Sequence, residues 1–178
     1  MDAPSASPAS FAASAAPAPR PTVRFLLAHP AHFIALGLGA GLSRNAPGTV
    51  GTLWAWLAFL LLQHWLDPLR LGLLIVFATL GGWWACTLTA RHMRVADPGA
   101  IVWDEVIAFW LILWLVMPAG LVGQAVAFGL FRFFDIVKPQ PIRWVDAHAH
   151  GGFGVMIDDI LAAGYTLVVL ALLVRFFG

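Results

Sequence analysis

Charge is what this sequence has least of. Asp, Glu, Lys and Arg together make up 11% of its 178 residues, against about 25% in an ordinary soluble domain. So few ionisable groups cannot solvate the surface of a water-soluble globule. Cysteine is nearly absent too. The single Cys86 excludes an internal disulfide and any four-cysteine metal site. It lies in an apolar run and reads as a small buried or lipid-facing residue. A net charge of +1 provides no basic field for a nucleic acid, so none is expected as a partner. The basic start of a signal peptide is missing as well, because Asp2 follows Met1 and no long apolar core comes next.

Apolar residues fill the space that charge leaves. They make up 61% of the chain, and the mean hydropathy is +0.85. Both values point to an integral membrane protein, and the length suits one domain. Residues 1–22 are mostly Ala, Pro and Ser and are expected to be a disordered tail, leaving 23–178 as the membrane-embedded domain. A short helix is expected from Pro30, with Gly37 and Gly41 as a small-residue pair that admits another backbone. Pro47-Gly48 reads as a turn, and Thr49 or Thr52 as the cap of the next helix. Exposed N–H groups at that helix start, with Arg44 close by, form a weak anion cradle. Thr49 to Leu66 reads as a first membrane helix, about 27 Å long at roughly 1.5 Å per residue. Leu71 to Ala90 is a second. The break at Met117-Pro118-Ala119-Gly120 divides the next apolar stretch into helices over 99–117 and 119–135. A last helix starts near Met156. Several Trp residues fall near helix ends, as interfacial anchors do. The expected fold is all-α and polytopic, with about four to five membrane-embedded helices.

Alternating these spans puts Arg20, Arg24, Arg44, Arg91, Arg94, Arg132, Lys138 and Arg143 on one side, with only Arg70 and Arg175 on the other. By the positive-inside rule the richer side is cytoplasmic. The same arrangement carries Asp97, Asp104, Glu105, Asp135, Asp146, Asp158 and Asp159 to that side, although acids were not used to build it. A transporter tends to keep its ionisable residues near the bilayer midplane. These sit at helix ends, level with lipid headgroups.

The densest charge lies in Phe131 to Asp159, FRFFDIVKPQPIRWVDAHAHGGFGVMIDD. Arg132, Asp135 and Lys138 are spaced i, i+3, i+6 on one helical face, either as a surface ion-pair ladder or as part of a site. Arg143 suits bidentate phosphate recognition, and Asp146 three residues on can hold it in place. Asp104-Glu105 and Asp158-Asp159 are each a doubled acid at an expected helix start. One acid would serve the helix dipole. Two offer hard oxygen ligands to Mg²⁺. His148 and His150 are too closely spaced to share a helix face, so zinc is not expected. His150 is either a proton donor or a loop histidine.

Several phosphatase chemistries are excluded. Position 92, six residues after Cys86, is His where a cysteine phosphatase needs Arg, and no GxSxG elbow is present. The spaced aspartates of CDP-alcohol transferases are also missing. Three stretches, GLGAGLSRNAPGTVGTL, IVWDEVIAFW and RFFDIVKPQPIRWVDAHAHGGFGVMIDDILAAG, resemble the phosphatidylglycerophosphatase A family over roughly residues 29–178. Ala100 is a minor departure, standing where a small polar residue is expected. The resemblance implies a Mg²⁺-dependent inner-membrane enzyme that removes the terminal phosphate of phosphatidylglycerophosphate, with the phospholipid as its partner and the site facing the cytoplasm. The matching positions are Asp104, Glu105, Arg132, Asp135, Lys138, Arg143, Asp146, His150, Asp158 and Asp159. On this basis Asp104, Glu105, Asp135, Asp158 and Asp159 are expected to hold magnesium, and Arg132, Lys138 and Arg143 to clamp phosphate. Asp158, Asp159 and His150 are the expected catalytic groups, His150 as the acid for the leaving oxygen. A phosphatase for phosphatidate or an isoprenyl pyrophosphate, and a non-enzymatic transporter or assembly subunit, are the alternatives.

Overall fold

The computed structural model describes residues 20–94, 99–148 and 151–177. Most of the expected tail, together with Asp97 and His150, lies outside the described residues. The rest is all α. Two short helices, α1 (Val23–Leu27) and α2 (Pro30–Ala35), lead through a 3₁₀ turn at Gly37–Leu42 into α3 (Pro47–Trp65). Then follow α4 (Pro68–Met93), α5 (Trp103–Leu115), α6 (Leu121–Val137), α7 (Ile142–His148) and α8 (Gly151–Phe177).

Local chemistry sets several of these starts. Pro30 and Pro68 occupy first-turn positions, where a missing N–H costs nothing. The Asp67 carboxylate accepts from the Arg70 N–H at 2.9 Å and caps α4. α3 starts differently from expectation. Pro47 and Gly48 form its first turn rather than a separate turn, and neither Thr49 nor Thr52 caps it. The preceding residue, Ala46, is left-handed (φ 45°) and makes no side-chain cap. α8 also starts before the expected Met156, taking in Gly151, Gly152 and Gly154.

α5 is the centre of the bundle. Trp103, Asp104, Val106 to Trp110, Ile112 and Leu113 are all buried, and α3, α4, α6 and α8 pack around them. A helix that is apolar on every side is one surrounded by protein or lipid, and for α5 protein does most of the covering. Phe109 stacks on Phe131 of α6 with centroids 5.9 Å apart. Three tryptophans make hydrogen bonds inside the bundle. Trp103, Trp110 and Trp114 donate their indole N–H to the carbonyls of Ala78, Ala55 and Pro68. Trp65, at the end of α3, is 78% exposed.

The expected count of about four to five membrane-embedded helices is corrected by these lengths. Among the described residues two helices are long and apolar enough to cross a membrane, α4 over 26 residues and the Met156–Phe176 part of α8 over 21. α5 has 13 residues and α6 has 17. α3 reaches 19 residues, but Trp54, Trp56, Gln63 and His64 dilute its hydropathy. The outer faces remain strongly apolar, with Leu69, Leu73, Phe77, Leu80, Leu172 and Val174 exposed. Apolar surface of that extent requires a lipid or protein covering. The fold is helical and membrane-associated.

Candidate active site

Three elements meet at one end of the bundle. The first turn of α5 brings Asp104 and Glu105, and the last turns of α6 bring Arg132 and Asp135. Asp158 and Asp159 come from α8, but not from its opening turn. Because α8 starts at Gly151, those acids are too deep in the helix for capping, and the dipole explanation fails for them.

Carboxylate oxygens of Asp104, Glu105 and Asp159 lie within 4.8 Å of one another. Asp104 and Asp159 are 8% and 4% exposed. The nearest cation is already engaged. Arg132 Nη1 lies 2.6 Å from Asp135 Oδ2 and 3.7 Å from Glu105 Oε1, and it donates to Thr52 Oγ1 at 3.4 Å. Lys138 Nζ bridges Asp146 Oδ1 and Asp158 Oδ2, each at 2.6 Å. Asp104 Oδ1, Glu105 Oε2, Arg132 Nε and Asp158 Oδ1 are buried without a hydrogen-bond partner. Leaving such groups unpaired costs several kcal/mol when they are charged (about 3–5 for a broken buried pair).

The electrostatics follow from this crowding. Burial, then the charges of Glu105 and Asp159, push the Asp104 carboxyl well above its ordinary range. Burial is also the main reason that Glu105 is raised to about 7. For Lys138 burial works downwards, but hydrogen bonds from its ammonium to Asp146 and Asp158 outweigh it and hold the ammonium above its usual value. Proton uptake is one way to relieve the acid trio. A bound cation is the other, and all-oxygen donors with no histidine or thiol among them suit a hard ion such as Mg²⁺ better than zinc. The orphaned oxygens therefore fit a divalent cation.

The expected acids are not equally placed. Asp104, Glu105 and Asp159 converge; Asp135 pairs with Arg132 and also touches Asp159, and Asp158 faces Lys138. Asp146 pairs with Lys138 rather than steadying Arg143, which corrects that expectation. Arg143 is exposed on α7. His148, also exposed there, hydrogen-bonds the Trp144 carbonyl at 2.7 Å and stacks on the Trp144 ring. Two contributors were not anticipated for this role. Thr52 is fully buried, donates to the Gly48 carbonyl at 2.8 Å and accepts from Arg132. Gly48 allows the close approach of α3, because a Cβ there would collide with Glu105 Oε1 and crowd the Arg132 guanidinium. A buried Thr four residues after a Gly, in an otherwise apolar helix, was the available signal.

An apolar groove of about 120 Å³ lies between α4 and α8, lined by Thr79, Leu80 and Trp83 of α4 and by Met156, Ile157 and Ile160 of α8.

Comparison with known proteins gives this geometry a context. Residues 33–174 match the family model described as phosphatidylglycerophosphatase A. Phosphatidylglycerophosphatase A of Escherichia coli (strain K12) is 41% identical over 139 residues, which covers 78% of this chain and 80% of the relative. The Haemophilus influenzae protein of the same name is 40% identical over 152 residues, covering 84% and 91%. A Bacteroides thetaiotaomicron protein named as a candidate phosphatidylinositol-3-phosphatase is 37% identical over 145 residues, covering 78% and 89%. No solved structure matches. With the conserved-length match spanning the whole acid-bearing bundle, the chain belongs to the phosphatidylglycerophosphatase A family.

Proposed function

We propose that this protein hydrolyses phosphatidylglycerophosphate to phosphatidylglycerol and inorganic phosphate at the membrane surface. The observation that carries the reading is the buried Asp104, Glu105 and Asp159 trio, whose oxygens lie within 4.8 Å of one another in a chain of this family. Asp104, Glu105 and Asp159 would hold a magnesium ion, which when bound supplies charge neutralisation and polarisation of the phosphoryl oxygens. Asp135 and Asp158 border that set and keep Arg132 and Lys138 in place. Arg132, Lys138 and Arg143 contribute positive charge to the phosphate, Arg132 through its free Nε. His150 is the proposed donor of a proton to the leaving glycerol oxygen. The α4–α8 groove suits an acyl chain.

The protein sits in the inner membrane as a multi-pass chain, its acid end in the cytoplasm, following the asymmetry of Arg and Lys. α3 adds to the lipid-facing surface, since Leu53, Leu57, Leu61 and Trp65 form an exposed stripe at i, i+4 spacing. A second reading, in which another lipid phosphomonoester is preferred, is favoured by the name of the Bacteroides relative. Purified full-length protein in detergent, given phosphatidylglycerophosphate, phosphatidate and phosphatidylinositol 3-phosphate in turn with Mg²⁺, separates the two. Phosphate release fastest from phosphatidylglycerophosphate is expected. A faster rate on either other lipid would replace the first reading with the second.

A further inference from the structure

Beside the acid trio lies a second cavity, of about 270 Å³, with a different lining. Its polar side chains are Arg20, Ser43 and Arg44, and Gly41, Pro47, Met93 and Ala100 complete most of the wall. Neither guanidinium has a carboxylate partner among the described residues, unlike Arg132 and Lys138. The wall is also held in shape. Ser43 Oγ donates to the Asn45 carbonyl at 2.8 Å, and Ala46 is kept in the left-handed region that a side chain rarely adopts. Gly41 lets the carbonyl of Ala100 close against the 3₁₀ turn, where a Cβ would clash.

Two covalent links connect it to the trio. Pro47 lines the cavity, and the next residue, Gly48, touches Glu105 and Arg132. Ala100, on the other wall, leads directly to the first turn of α5 and Asp104. A substrate with a phosphomonoester at the trio could therefore extend its neighbouring groups into a pocket lined by two arginines. Phosphatidylglycerophosphate carries a second phosphate there, the bridging phosphodiester, one glycerol unit away. Phosphatidate carries none.

We infer that the Arg44–Arg20 cavity binds the bridging phosphodiester of the substrate, and so selects headgroups with two phosphates over simple lipid phosphomonoesters. The inference rests on the phosphatase reading above. Arg44 acts as a specificity residue, with its guanidinium donating to the diester oxygens, and Arg20, also in the lining, adds charge.

The test uses full-length protein in mixed micelles with Mg²⁺, measuring kcat and KM on phosphatidylglycerophosphate and on phosphatidate. The variants are R44Q, R44K and R20Q. Arg44 is exposed, and thermal unfolding of each variant verifies that it folds. In R44Q the ratio of kcat/KM between the two lipids should fall about tenfold, mainly through KM, as expected for losing a charge-assisted hydrogen bond. R44K should recover part of it, and R20Q should produce a smaller loss in the same direction. An unchanged ratio in R44Q would overturn the inference. So would an equal loss on both lipids, which would mean that Arg44 draws the protein to anionic lipid in general. If wild-type protein used both lipids equally well, the phosphatase reading would stand and the subsite would fall. If it released phosphate from neither, both would fall.

Discussion

Two polar clusters sit inside this apolar chain, and they differ in how fully their groups are paired. In the first, His29, His32 and His92 join α2 to the end of α4. His32 is 4% exposed, donates from Nδ1 to the Phe25 carbonyl at 2.8 Å, and meets His92 Nδ1 through Nε2 at 2.7 Å. His29 Nδ1 accepts from the Ala31 N–H at 3.0 Å. Burial, chiefly, lowers the His32 pKa, and both ring nitrogens are hydrogen-bonded without a ligand. In the second cluster, three carboxylates face one another and two of them leave buried oxygens with no partner. Histidine is the commoner metal ligand in general, yet here the histidines are satisfied and the acids are not. Pairing, more than residue type, distinguishes a cluster that stabilises the fold from one that requires something from outside.

The most forceful way to break that comparison is Asp159→Asn. Phosphate release should fall by about a thousandfold or more, while the unfolding midpoint in metal-free buffer stays level or rises, because one buried like charge is gone. A large loss of stability would instead make Asp159 a structural residue like the histidines. Lys138→Ala comes next. It leaves Asp158, whose side chain is 9% exposed, without its cation, and should cost about 2–3 kcal/mol of stability. Adding Asp158→Asn should restore most of it, as measured by denaturant unfolding. His32→Ala removes the centre of the paired cluster and should cost about 2 kcal/mol with less than about a twofold change in kcat/KM. A greater kinetic effect would erase the distinction between the clusters.

The smallest effect expected is on pH dependence. Glu105 has a folded value of about 7 against an ordinary 4.5. The folded chain therefore binds more protons than the unfolded one between those values, so metal-free stability should fall as pH rises from 5 to 8. A drop of a few degrees in Tm is expected. Mg²⁺ should reverse it at pH 8, where the carboxylates are free to bind. A metal-free Tm that rises over the same range would mean that the trio is not strained.

Much of the site was legible in the sequence because charge is so rare. Each doubled acid stood out against its neighbours, and helix ends read from Pro and Gly were enough to put Asp104, Glu105 and Asp159 on one side of the bundle. The pairings were not legible. Asp146 lies three residues from Arg143 in the chain but bonds Lys138, because the chain turns after α6 and α7 packs against α8, and sequence spacing carries no trace of that turn. The role of α5 stayed open in the sequence for a related reason. The eleven apolar residues of α5 look alike whether they face lipid or other helices, and only the packing of four neighbours around α5 shows that it is core. Thr52 looked like a cap because helix starts are common places for Thr. In the fold it is buried against Arg132.

The central claim is that the unpaired acid trio is where the cation needed for hydrolysis binds. It is tested most directly by titrating Mg²⁺ into metal-free protein at pH 8 while following Tm and phosphate release from phosphatidylglycerophosphate in parallel. Both should rise with the same half-saturating concentration in wild type, and both responses should vanish in Asp159→Asn. Phosphate release that persists in excess EDTA, or a Tm response to Mg²⁺ as large in Asp159→Asn as in wild type, would contradict it.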